Sequence, residues 1–179
     1  MKESYQHPPY QLELFDKDNR QILDEAYEYF TYLQKPNKAF SNMPVCPFLK
    51  AEMEKDNLYV DIWRPDEKSF YELFYQFTDS KKDSALFVCM DTKDIKWKDV
   101  ERTKYQKFLQ KAIKDTNLKA LCLSPYEDFT AGGEATRKRA PYFLINVASR
   151  KHFSESHKKL VDSKYFDNFS DEEKTKLKV

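Results

Sequence analysis

Glycine is almost absent from this chain. Only two of its 179 residues are glycine, and they are adjacent at Gly132-Gly133. Glycine reaches positive φ without steric cost and lets a backbone approach a ligand closely. Because every other turn must form without it, the pair indicates a position with a demanding backbone geometry. A basic run at 137–139 follows within six residues, so the segment 124–142 is the first candidate for a functional site.

Length and charge limit the class of protein. A chain of this size can bury roughly 70% of its unfolded surface in one core. We therefore predict one domain at 17–179, preceded by an irregular arm at 1–16 in which Pro8-Pro9 excludes helix. The formal net charge of +1 provides no overall attraction to nucleic acid or anionic lipid. No window approaches the ~20 apolar residues that span a bilayer, so we expect a soluble, cytoplasmic protein with no membrane association.

The cysteines and histidines do not form a familiar framework. Cys46, Cys89 and Cys122 are too widely spaced for a disulfide or zinc pattern, and the last two lie in apolar runs typical of a core. His152 and His157 are five residues apart, which is not the i, i+4 spacing of a helical metal pair. No metal site is predicted, and the cofactor is left unassigned.

The hydrophobic period switches repeatedly between that of a helix and that of a strand. Strands are predicted near 58–62, 84–90, 119–123 and 143–147, with helices before, between and after them. The predicted helix starts are Asp18 or Asn19, Pro47, Asp66, Ser154 and Ser170. This order predicts an α/β fold: a single compact domain with a small, mainly parallel sheet of about four strands flanked by helices. The last strand follows a long loop and is open to antiparallel pairing.

That loop carries the leading functional hypothesis. It begins where a strand ends, the usual place for ligands in α/β proteins, and loops of its length are mostly functional or disordered. We predict that a small anionic ligand, such as a phosphorylated one, lies on the backbone of the glycine pair between arginine guanidinium groups and tyrosine rings. The predicted binding residues are Gly132, Gly133, Arg137, Arg139, Tyr126 and Tyr142. The alternative is a simple hinge beside a solvated basic face, since no known phosphate-binding motif is present.

Cys46 is the candidate nucleophile if the protein is an enzyme, which the sequence leaves open. It precedes Pro47 at a predicted helix start, where the positive end of a helix favours a thiolate. Asp128 and Glu127 are the candidate acid and base. The alternative is that Cys46 is a core residue packed beside Phe48, because no base is nearby in the sequence.

Three short blocks resemble, in the same order, those of an uncharacterised bacterial family, number fourteen-fifteen in the series of domains of unknown function. They are VCPFL at 45–49, LSPYEDF at 123–129 and KRAPYF at 138–143. The family has Leu-Cys-Pro-Phe-Ala, Phe-His-Pro-x-Tyr-x-Phe and Asn-Arg-Ser-Pro-Tyr-Pro there, and the similarity spans about 40–160.

The resemblance implies a convergence of residues but no activity. The positions that it would bring to one site are Cys46, Pro125, Phe129, Arg139 and Tyr142. Ser124 stands where the family has a histidine, and Cys89-Met90 where it has a second His-Pro. Any chemistry of those histidines is therefore not implied for this chain.

Two other classes of function stay open. The segment 134–159 has seven Lys or Arg against two acidic residues, with aromatic residues beside them. Such a surface could serve a non-catalytic module that binds nucleic acid or an acidic protein partner. A structural subunit with exposed Tyr and Phe as interface anchors is the third possibility.

Overall fold

The computed structural model describes residues 17–127, 130–131, 134–135 and 139–177. The predicted arm at 1–16 lies outside these residues. So do four residues of the predicted site: Asp128, Gly132, Gly133 and Arg137.

Helices and strands alternate along the described chain. The helices are α1 (Lys17–Leu33), α2 (Leu49–Glu54), α3 (Phe70–Asp79), α4 (Arg102–Ala112), α5 (Arg150–Val161) and α6 (Asp171–Leu177). The strands are β1 (Pro36–Asn37), β2 (Met43–Pro44), β3 (Leu58–Trp63), β4 (Ser84–Cys89), β5 (Leu118–Leu123), β6 (Thr130–Ala131), β7 (Glu134–Ala135) and β8 (Phe143–Ser149). Short 3₁₀ turns at Lys38–Phe40 and Trp97–Asp99 complete the regular structure.

The central sheet has four strands in the order β3-β4-β8-β5. The prediction of about four strands flanked by helices is confirmed, but the prediction of a mainly parallel sheet is wrong. Only β3 and β4 pair in parallel, whereas β8 pairs antiparallel with both β4 and β5. The two remaining strand pairs, β1 with β2 and β6 with β7, are short and antiparallel.

The position of β8 explains the difference. Helices α3 and α4 separate β3, β4 and β5, which therefore run in one direction, as crossover connections require. The chain after β5 returns as β8 beside it and lies between β5 and β4. Inserting one reversed strand between two parallel ones makes two of the three pairings antiparallel.

Alternating side chains give the sheet two differently built faces. One face lies under α3 and α4 and is rich in aromatic rings, including Trp63, Phe87 and Phe143. There the ring of Trp97 stacks on Phe143 with a centroid distance of 4.6 Å. The other face is covered by α1, α2 and α5, and a smaller cluster around Phe40 ties the C-terminal segment to it.

The helix starts show which capping predictions hold. Ser170 and Glu173 form the predicted capping box of α6, with the Ser170 N–H donating to Glu173 Oε2 at 2.7 Å. The predicted cap at Asp66 is wrong, because Ser69 caps α3 through a box with Glu72. The predicted cap at Ser154 is also wrong, since Ser149 accepts from the backbone of α5 and the helix starts earlier.

The shortage of glycine has a visible consequence. Four described residues with side chains occupy positive φ, at 55° to 62°: Ser41, Asn42, Asp56 and Lys81. Asn and Asp tolerate this region because their short polar side chains can bond locally. A lysine there is unusual and indicates local steric cost.

Candidate functional site

Two adjoining cavities lie over the face of the sheet that α1, α2 and α5 cover. Their volumes are about 230 Å³ and about 260 Å³. Five residues line both of them: Cys46, Leu49, Leu86, Leu121 and Asn146. We call the two adjoining cavities together the sheet trough.

Asn146 lies at the middle of the trough. It pairs in register with Leu86 of β4 on one side and Leu121 of β5 on the other. Its Oδ1 atom is buried, and among the residues the structure describes none donates a hydrogen bond to it. A buried polar atom without a partner costs about 1–3 kcal/mol. An acceptor that faces a cavity under these conditions is suited to a donor from a bound molecule.

One end of the trough is apolar. Phe30 and Leu33 of α1 face Leu123 and Leu144 of the sheet there. Tyr165 closes this end, and its hydroxyl donates to the Val45 carbonyl at 2.5 Å. The rotation of that ring is thereby fixed, which gives the apolar end a defined shape.

The other end of the trough is polar. Its lining includes Glu52 of α2, Ser84 of β4, and His152 and His157 of α5. The Ser84 hydroxyl donates to Glu52 Oε2 at 3.3 Å. Helix α5 turns its lysines outward, so the two histidines lie on its inner side together with Phe153.

Cys46 borders both ends, but its thiol is not activated. Burial raises the pKa of the Cys46 thiol, and the nearby Glu52 carboxylate raises it further. Hydrogen bonds from the backbone N–H groups of Leu49 and Phe48 lower this pKa, but by less than burial raises it. The helix-end effect expected from the sequence is therefore present, while the net result favours the protonated thiol.

The described residues of the predicted loop site lie elsewhere. Glu127 forms an ion pair with Arg102 of α4, with 2.6 Å between Oε2 and Nε. Tyr126 is half exposed at 53%. Neither residue lines the sheet trough, and α4 covers the opposite face of the sheet. Glu127 and Cys46 are thus not brought into one described site.

Arg139 and Tyr142 occupy the surface between the loop and β8. Arg139 is exposed, whereas the ring of Tyr142 packs on the same apolar cluster as Cys46. The Tyr142 hydroxyl donates to Glu25 Oε2 of α1 at 2.5 Å, and burial together with this carboxylate raises its pKa. Tyr142 therefore fastens the start of β8 to α1. The anion-binding role of all these residues stays a prediction.

Sequence reasoning missed the residues of the trough for identifiable reasons. Asn146 is the one polar residue within the apolar run FLINVA, and that interruption was the available signal. The predicted cap at Ser154 leaves His152 outside the helix that carries both histidines in the structure. With Ser149 as the cap, helical periodicity puts His152, His157 and Leu160 on one face. Glu52 and Ser84 meet only through tertiary packing.

Metal-binding clusters and membrane-spanning helices are both absent from the described ranges. Within them, no group of three or more His, Cys, Asp or Glu side chains could hold a metal ion. No helix there has the length and apolar character needed to cross a bilayer.

No family model matches this chain, and no curated protein or solved structure matches it at a significant level. The resemblance to the bacterial family therefore stays a prediction.

Proposed function

We propose that this protein binds a small, elongated and mainly apolar molecule in the sheet trough. The observation that carries this proposal is the shared wall of the two cavities, at whose centre Asn146 has an acceptor oxygen to which no described residue donates. Ligand sites of this kind combine an apolar lining with a few placed polar groups. Binding, rather than catalysis, is the activity that these features support.

The size of the space supports a ligand larger than water. An apolar cavity of about 150 Å³ is enough to bind benzene. Each half of the trough exceeds that volume, at about 230 Å³ and about 260 Å³. A molecule with one ring in the apolar end and a short chain past Asn146 fits this description.

The raised pKa of Cys46 argues against a nucleophilic mechanism at neutral pH. A thiol must lose its proton to attack, and burial opposes that loss here. Cys46 instead contributes a small, polarisable wall to the site.

The anion cradle at 124–142 is a separate prediction. Three of its six predicted binding residues, Gly132, Gly133 and Arg137, lie outside the described part of the chain, and Arg139 lines neither half of the trough. The basic surface 134–159 likewise remains an alternative interaction site, with Arg150, Lys151, Lys158 and Lys159 exposed. No geometric observation favours either over the trough.

Calorimetric titration with 2-phenylethanol tests the proposal. This probe has one aromatic ring, a short chain and one hydroxyl donor for Asn146 Oδ1. We expect saturable one-to-one binding by the wild type. The variant Leu121→Phe places a larger side chain in the wall common to both cavities and reduces the space in each. It should weaken binding at least tenfold.

The matched control is Leu118→Phe. Leu118 is on the same strand, but its side chain packs into the opposite face of the sheet. A folded Leu118→Phe variant should bind like the wild type. Absence of binding by the wild type to this probe and to 1-hexanol, or equal binding by folded Leu121→Phe, would refute the proposal.

A further inference from the structure

We infer that the ligand of the sheet trough carries a protonated amine, held at the end formed by Glu52, Ser84 and the two histidines. This inference rests on the proposed binding function and specifies the chemical class of the ligand. It follows from the charges and hydrogen-bonding groups that the polar end already contains.

Glu52 is a carboxylate without a cationic partner in the part of the chain that the structure describes. No Lys or Arg nitrogen of those residues lies within ion-pair distance of it. On the same helix, by contrast, the exposed Glu54 is paired with Lys50 at 3.7 Å. Glu52 is partly buried and lines the cavity. A half-buried charge of this kind is stabilised by an opposite charge that enters the cavity.

Lys119, a basic residue on this face of the sheet, already contacts an aromatic ring. Lys119 pairs in register with Ala148 of the same face, and its Nζ lies 5.6 Å from the centroid of the Phe153 ring. It is not among the residues that line the trough. The Ser84 hydroxyl donates one hydrogen bond to Glu52 Oε2. The carboxylate therefore has acceptor capacity that these neighbours do not fill.

A second acceptor points to the same ligand chemistry. Asn146 Oδ1 lines both cavities and has no donor among the described residues. Two acceptors, one of them charged, select a head group with several N–H donors and a positive charge. A carboxylate head would instead meet the negative charge of Glu52. His152 and His157 complete the wall with imidazole nitrogens, which can take part in hydrogen bonds to a head group.

The test is a head-group series with a constant tail: 2-phenylethylamine, 2-phenylethanol and phenylacetate. Titrations are made calorimetrically at about pH 8, where imidazoles are ordinarily neutral and alkyl amines charged. We expect the amine to bind about tenfold more tightly than the alcohol, and phenylacetate to bind most weakly. In Glu52→Gln the advantage of the amine over the alcohol should disappear.

Glu54→Gln is the matched control, because it removes a neighbouring charge from the same helix outside the trough. It should preserve the preference for the amine. Equal affinity for amine and alcohol in the wild type, or tightest binding of phenylacetate, would overturn the inference and leave the trough as a binding site. If no member of the series binds, the inference fails, and if 1-hexanol also does not bind, the proposed function itself fails.

Discussion

The hydroxyl of Ser84 donates a 3.3 Å hydrogen bond to Oε2 of Glu52, joining strand β4 to helix α2 at the polar end of the trough. This contact holds a carboxylate in a cavity whose opposite end is apolar. It also places negative charge close enough to Cys46 to raise the pKa of its thiol. The trough thus offers a polar and an apolar environment side by side.

Glu52→Gln should accelerate alkylation of Cys46. Removing the carboxylate charge lowers the pKa of the thiol, so more thiolate is present at a given pH. We expect a modestly higher rate with iodoacetamide at about pH 8, measured by peptide mass spectrometry, because Glu52 is the smallest of the influences on this thiol. Glu54→Gln should react at the wild-type rate. An unchanged rate in folded Glu52→Gln would show that the two residues are not coupled.

Stability should fall in alkaline solution. Burial raises the pKa of Cys122 from 9.0 to about 12 and, together with Asp61, that of Tyr59 from 10.0 to about 12. Because the folded state favours the protonated groups, their stabilising contribution is complete below the ordinary pKa. It is lost as pH rises from that value through about 12.

Urea unfolding between about pH 8 and about pH 11 measures this effect. The denaturant midpoint should decline most steeply above about pH 9. Tyr59→Phe should flatten the decline above about pH 10, whereas Tyr71→Phe at an exposed position should not. A midpoint independent of pH over this range would contradict the assigned burial.

Two glutamines of α4 form hydrogen bonds with the edge of β5 that does not pair with β8. Gln106 Oε1 accepts from the Cys122 N–H at 2.8 Å, and Gln110 Nε2 donates to the Ala120 carbonyl. Each replacement by alanine should lower the free energy of unfolding by about 1 kcal/mol. The double variant should also aggregate faster, because an unpaired strand edge recruits other chains. Lys107→Ala, on the exposed side of α4, is the control for chemical denaturation and light scattering.

Lys81→Gly should stabilise the fold. Lys81 has φ 58°, a conformation that costs residues with a Cβ about 1–2 kcal/mol but is open to glycine. After the greater flexibility of glycine in the unfolded chain is considered, we expect a gain of about 0.5–1 kcal/mol. Lys93→Gly, in a loop where φ is not positive, should destabilise by a similar amount. Opposite signs for the two variants in urea unfolding are the expected result.

Local signals predicted most of the elements but not their arrangement. The stripe through Ala26, Tyr29 and Leu33 of α1 is buried as its periodicity predicts. The apolar run of β4 is buried at every position, as expected of a strand covered on both faces. The insertion of β8 between β4 and β5 was not predictable, because strand order depends on long-range pairing that no local period encodes.

The trough escaped sequence reasoning for a related reason. Ser84, Asn146 and His157 come from three separate parts of the chain and meet only after the sheet and α5 have formed. Asn146 alone had a local signal, as a polar residue in a buried strand. Cys46 was singled out for its place before a helix, yet its environment is governed by burial and Glu52, which the sequence does not display.

The most direct test of the trough as a binding site is protection of Cys46 by ligand. Alkylation of Cys46 by iodoacetamide is followed by mass spectrometry while 2-phenylethylamine is titrated, with Cys89 and Cys122 of the opposite face as internal references. We expect the alkylation rate of Cys46 to fall to a plateau as the amine is added, with half of the decrease reached at the dissociation constant that calorimetry gives. In Leu121→Phe this protection should be lost. A Cys46 rate that stays constant while the amine saturates the protein would place the ligand elsewhere and contradict the proposed site.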